Sequence, residues 1–175
     1  MYEHIPQSNK AKAKNIASAL LVGGFTIMAV TSAAKEMPLK WLFQLAGLAV
    51  ITVGIFIMTR YLFKSFLYRV SQTDTGSADL SVIELQKKSR ITVCRISVSG
   101  ILEVCVFTPE EKDKEKALLA KIKSDGRKRF DYCADLSPDR FMWLIADECG
   151  ERVALKLSYD ETLYGILSPN KETNE

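Results

Sequence analysis

The chain has 175 residues and a net charge of +3, room for one soluble domain with attachments. That excess is too small for a nucleic-acid binder, whose basic residues crowd onto one face. A single histidine and four cysteines with no CxxC pair also exclude the usual zinc spacings and leave a cysteine or serine nucleophile without an evident base.

Residues 1–14 read as a polar tail containing His4, Lys10, Lys12 and Lys14. From Asn15 to Ala34, and again from Trp41 to Thr59, there is no Asp, Glu, Lys or Arg. Each run is roughly 20 residues, about 30 Å as a helix, the thickness of a bilayer's hydrocarbon core. The reading is a transmembrane hairpin over 15–64, with helices at 15–34 and 41–60 joined by KEMPL, where Pro38 suits a helix start. The roughly 110 residues that remain could hardly surround two such helices in a soluble core.

Lys10, Lys12 and Lys14 on one flank and Arg60, Lys64 and Arg69 on the other outnumber Lys35 and Lys40 in the connecting loop. Both ends are therefore expected in the cytoplasm, making this a multi-pass protein of the cell membrane. The competing reading is a signal peptide cleaved after Ser32-Ala33-Ala34, but the run is long for that and the next apolar helix follows at once. Either way the soluble domain is cytoplasmic, and its thiols are expected free.

Within the spans, Ala19 and Gly23 form a small-xxx-small pair, and Gly47 and Gly54 lie seven apart on one face. Small residues let helix backbones approach. The simplest use is packing the two helices together; the functional alternative is a second copy or another membrane protein.

From Leu67 to Ser168 the pattern changes to short alternating segments, the soluble domain, before a polar tail at 169–175. Strands are expected around 68–73, over 78–86 and 90–96 as a hairpin turning at Lys87-Lys88-Ser89, and over 101–107, 129–136, 141–147 and 152–157. Thr108-Pro109-Glu110-Glu111 is a capping box opening a helix that Gly126 ends, with Glu110 and Lys114 as an i,i+4 pair. Ser158 and Glu161 are expected to cap a terminal helix.

Seven strands followed by a C-terminal helix, and above all the stretch LKLSYDETLYGILSP, resemble bacterial membrane proteins in which two N-terminal helices precede a pleckstrin-homology-like (PH-like) domain. The resemblance implies an α+β domain, a PH-like barrel or sandwich of antiparallel strands over 67–168, here with the helix at 109–125 inserted. It also implies a binding or scaffolding module at the membrane surface that performs no catalysis.

No glycine-rich phosphate loop is present, and no cofactor is expected. Asp131, Asp135, Asp139, Asp147 and Glu148 crowd one stretch, with Asp131 and Asp135 expected on one strand face; a solvated sheet surface explains them as well as acid–base work does. Lys121, Lys123, Arg127, Lys128 and Arg129 cluster where the inserted helix meets a strand, and Lys87, Lys88 and Arg90 mark the hairpin tip. The expectation is a membrane-anchored interaction or scaffold module with a protein partner or a second copy. The alternative is a sensor of anionic lipid surfaces built on those basic residues.

Overall fold

The computed structural model describes the chain except for residues 35–37, 74–75, 87–88, 149 and 169–175. Two compact units form: Asn9–Lys64, and Met1–Ser8 together with Ser65–Glu175.

The first unit is a hairpin of α1 (Lys10–Ala33) and α2 (Lys40–Tyr61). The opening helix starts five residues before the expected Asn15, because the KAKAK run consists of strong helix formers and Asn9 supplies the cap, its side-chain oxygen accepting the Ala11 N–H at 3.3 Å. At the other end of α1, Lys40 donates to the carbonyls of Ser32 and Ala34, both at 3.2 Å, where a cation meets the negative end of the helix dipole. Thr26, Thr31, Thr52 and Thr59 donate their hydroxyls to carbonyls four residues back at 2.8–2.9 Å, so these four hydroxyls are satisfied within their own helices. The buried residues are small, Ala13, Ala17, Gly24 and Thr31 of α1 and Gly47 and Gly54 of α2, with Gly24 against Gly47 across the seam. Beside the seam, many large apolar side chains point outward, with Val22, Phe25 and Phe56 each more than 60% exposed. Both helices are long and apolar enough to cross a membrane.

The second unit holds two four-stranded sheets. In the first, β1 (Tyr2–His4), β2 (Ser65–Gln72), β3 (Ala78–Gln86) and β4 (Ser89–Ser97) lie side by side in chain order, all antiparallel. A 3-10 turn at Val98–Gly100 carries the chain into the second sheet. That sheet comprises β5 (Ile101–Phe107), β6 (Lys128–Asp131), β7 (Phe141–Glu148) and β8 (Glu151–Ser158), in the order β5-β7-β8-β6. Between β5 and β6 runs α3 (Lys112–Ser124), and α4 (Glu161–Leu167) follows β8.

Strand β7 explains the layering. Its run FMWLIA is apolar at every position because both faces are covered. Met142, Leu144 and Ala146 join the core shared with Tyr68, Leu80 and Val82 of the first sheet. Phe141, Trp143 and Ile145 pack instead with Ile122, Leu118 and Leu119 of α3. The second sheet is thus the middle of three layers.

Several expectations are corrected. Neither sheet closes into a barrel, and the strands are not all antiparallel, since β6 runs parallel to β8. Residues 1–14 are not a tail: Tyr2–His4 forms an eighth strand on the open edge of β2, with Tyr2 packed against the core. The strand expected over 129–136 stops at Asp131, whose side chain accepts the Cys133 N–H at 2.9 Å and turns the chain out of the sheet. The Thr108 box is half made. Glu111 reaches back to the Thr108 N–H at 3.3 Å, but the Glu111 N–H donates to the Thr108 carbonyl, so a turn intervenes and α3 begins at Lys112. Lys114 accordingly pairs with Glu111, at 2.7 Å, instead of Glu110. Gly126 does end this helix, with Gly126 N–H on the Lys123 carbonyl and Arg127 N–H on the Ile122 carbonyl, a Schellman motif. The cap of α4 is Asp160, not Ser158.

Candidate binding cleft

The segment Met1–Ser8 is a strap across one end of the sheet unit. Its strand β1 makes three residue pairs with β2, and Glu3 and Arg69 form an ion pair at 2.7 Å. The remaining ties converge on Asp160. The Tyr2 hydroxyl donates to Asp160 Oδ2 at 2.5 Å, His4 Nδ1 lies 3.5 Å from Oδ1, and the Leu163 N–H donates to Oδ2 at 2.8 Å as the cap of α4. Burial by itself raises the Asp160 carboxyl, but the Tyr2 hydroxyl, the Leu163 amide and the neighbouring His4 hold it below the usual carboxylate range. Burial and the bond to Asp160 raise the Tyr2 phenol above its usual range. The His4 ring lies between those of Tyr2 and Tyr68, at centroid distances of 6.5 and 6.4 Å. Farther along, the Ser8 hydroxyl donates to Asp135 Oδ1 at 2.9 Å.

Beneath the strap lies a cleft of about 610 Å3. His4, Pro6 and Gln7 form one wall, Asp135, Asp139 and Arg140 of the β6–β7 loop the other, with Ser158 and Tyr159 also contributing. The Arg140 guanidinium stands 5.8 Å from the centre of the Tyr159 ring. Among the described residues neither Asp139 nor Arg140 makes an ion pair. The histidine read as a tail residue is therefore held by a carboxylate at the mouth of a cavity. The bond from Tyr2 to Asp160 spans 158 residues of sequence, which no local pattern encodes.

The acidic residues disperse. Asp131 ends β6, Asp135 takes the Ser8 hydroxyl, Asp147 pairs with Arg127, and Glu148 accepts the Ser97 N–H at 3.0 Å. Among the described residues no group of His, Cys, Asp and Glu could hold a metal ion.

The basic cluster is largely paired. Lys121 meets Glu103 at 3.5 Å, Lys128 meets Glu151 at 2.7 Å, and Arg127 reaches both Asp147 and, at 3.6 Å, Asp125. Lys123, Arg129 and Arg90 are exposed, and Lys87 and Lys88 lie outside the described residues. A smaller cleft of about 360 Å3 beside Arg129 and Phe130 is bounded by the junction that docks α3, where Glu115 accepts from Trp143 Nε1 at 3.1 Å and from Lys156 at 3.0 Å. Burial and the nearby Glu103 carboxylate push the Cys105 thiol up to about 11, and burial likewise raises Cys94, so these thiols stay protonated and unreactive near neutral pH.

In the hairpin, Gly47 and Gly54 face α1, while Ala19 is exposed and Gly23 has open space around it. The seam position on α1 is Gly24, where a Cβ would come 2.5 Å from Ile51 Cγ1 and 3.0 Å from the Gly47 carbonyl.

Comparison with protein-family models, with curated proteins and with solved structures finds no match for this chain.

Proposed function

We propose that this protein is a membrane-anchored interaction module, in which the α1–α2 hairpin spans the bilayer and the sheet unit presents binding surfaces beside it. One observation carries the reading: the outward surface of both helices is apolar and uncovered, and hydrocarbon is the environment that makes such a surface stable. The pairing of β1 with β2 supports a same-side arrangement of the two ends, because β1 precedes α1 and β2 follows α2. Together with the lysine and arginine distribution this favours a two-span topology with the sheet unit in the cytoplasm. It also weighs against cleavage after Ala34, which would remove a strand from the sheet. Two helices ahead of a sheet-rich domain closed by a short helix keep a distant relation to PH-like membrane proteins within this proposal, in an open-sheet variant.

A protein partner is favoured over a lipid surface. Strands β4, β5 and β6 end their sheets, and Ile91 and Leu102 on the first two are more than half exposed, as an edge that takes up another chain requires. The basic cluster, by contrast, spends Lys121, Arg127 and Lys128 on neighbouring carboxylates. The test is extraction of membranes with alkaline carbonate. The full-length chain is expected to stay in the pellet and to leave it only with detergent; recovery in the carbonate supernatant would overturn the anchoring.

A further inference from the structure

We propose that the cleft beneath the N-terminal strap binds a small zwitterion, a molecule carrying an ammonium and an oxyanion a few bonds apart. This goes beyond the anchoring reading and does not depend on it, since every lining residue belongs to the sheet unit.

Three observations lead there. The volume, about 610 Å3, falls in the range of about 300–1,000 Å3 typical of small-molecule sites. Consecutive residues Asp139 and Arg140 bring opposite charges to one rim without pairing to each other or to any other described side chain. Neighbouring opposite charges on a surface commonly neutralise one another, so an open pair facing a cavity suits a ligand that brings the complement of both. Third, the His4 imidazole lines the same cleft and is anchored there, its Nδ1 3.5 Å from Asp160 Oδ1 and its ring between those of Tyr2 and Tyr68.

The assignment of groups follows from this. The ammonium takes Asp139 and the Asp135 oxygen not engaged by Ser8, beside the His4 ring. The oxyanion takes the Arg140 guanidinium, with the Gln7 amide as a second donor. Arg140 is steadied from behind by the Tyr159 ring. A free amino acid or short peptide and the headgroup of an ethanolamine phospholipid share this chemistry.

His4 is the only histidine of the chain, so its ring gives a single imidazole signal in the NMR spectrum of the full-length protein in detergent micelles. The probes are alanylalanine, glycerophosphoethanolamine, sodium acetate and ethylammonium chloride, at equal ionic strength. The expected result is a saturable shift of that signal with at least one zwitterion, and an affinity at least about tenfold weaker for either single ion. Which zwitterion acts distinguishes a free solute from a headgroup. Arg140→Gln and Asp139→Asn should each weaken the response by about tenfold or more, with thermal unfolding little changed because both side chains are exposed and make no ion pair. Absence of a saturable shift with both zwitterions, an equal response to acetate or ethylammonium, or a response that survives both substitutions would overturn the proposal.

Discussion

Tyr68 shows what one side chain can hold together. It is fully buried, its hydroxyl donates to the Tyr132 carbonyl at 2.8 Å, and it accepts the Ser158 N–H at 3.1 Å. Tyr68→Phe keeps the ring and strands both backbone groups, an expected loss of about 1–3 kcal/mol in a denaturant melt. Burial raises the Tyr68 phenol far above its usual range, with the neighbouring Cys133 and Asp131 adding to the shift. A group whose folded value is raised contributes fully below its unfolded value of about 10, and its contribution is lost as pH rises beyond that. The native protein should therefore weaken steeply above about pH 10, and the phenylalanine variant less steeply over the same interval. None of this is legible locally. Tyr68 reads from the sequence as one alternating strand residue among many, and its two partners lie 64 and 90 positions away.

At the scale of elements, sequence patterns worked where the deciding forces are local. The apolar runs located both long helices, Gly126 marked the end of α3, and the β3–β4 hairpin and β5 fall where alternation puts them. They failed where a side chain turned the chain by competing for a backbone group, as Asp131 and Glu111 do. The hairpin seam shows the same division. Small residues at helical spacing signal close packing, yet the spacing does not say which of two adjacent glycines faces the partner. Gly24 does, and Gly23 does not. Gly24→Leu is expected to destabilise the hairpin by about 1–3 kcal/mol through overpacking against Ile51 and the Gly47 carbonyl. Gly23→Leu should be close to neutral. Thermal unfolding of both variants in the same detergent makes the comparison, and equal losses would refute the assigned seam.

For the molecule as a whole, the N-terminal strap matters most, and it is the feature least legible in the sequence. Its eight residues carry too little pattern to announce a strand, and everything they bind comes from beyond residue 64. Removing residues 1–8 eliminates three strand pairs, the Glu3–Arg69 ion pair and the Tyr2 and His4 contacts to Asp160. The expected loss is about 2 kcal/mol, read as a lower denaturation midpoint. The pH response supplies a sharper signature. Asp160 is depressed in the folded state, so its contribution is present above its unfolded value of about 3.9 and is lost as pH falls through the folded value. Without the strap, the loss of stability on acidification below about pH 4 should be shallower; an unchanged acid limb would show that these contacts do not hold the carboxyl down.

Because β1 leaves the ribosome before either long helix and β2 only after both, the first sheet has to wait for the whole hairpin to be synthesised. During translation Tyr2–His4 has no edge to join, and it can dock only when Ser65–Gln72 emerges. Synthesis of the hairpin and completion of the sheet are thereby put in a fixed order. An affinity tag fused ahead of Met1 would be carried by a strand that stays unpaired until the hairpin has been made.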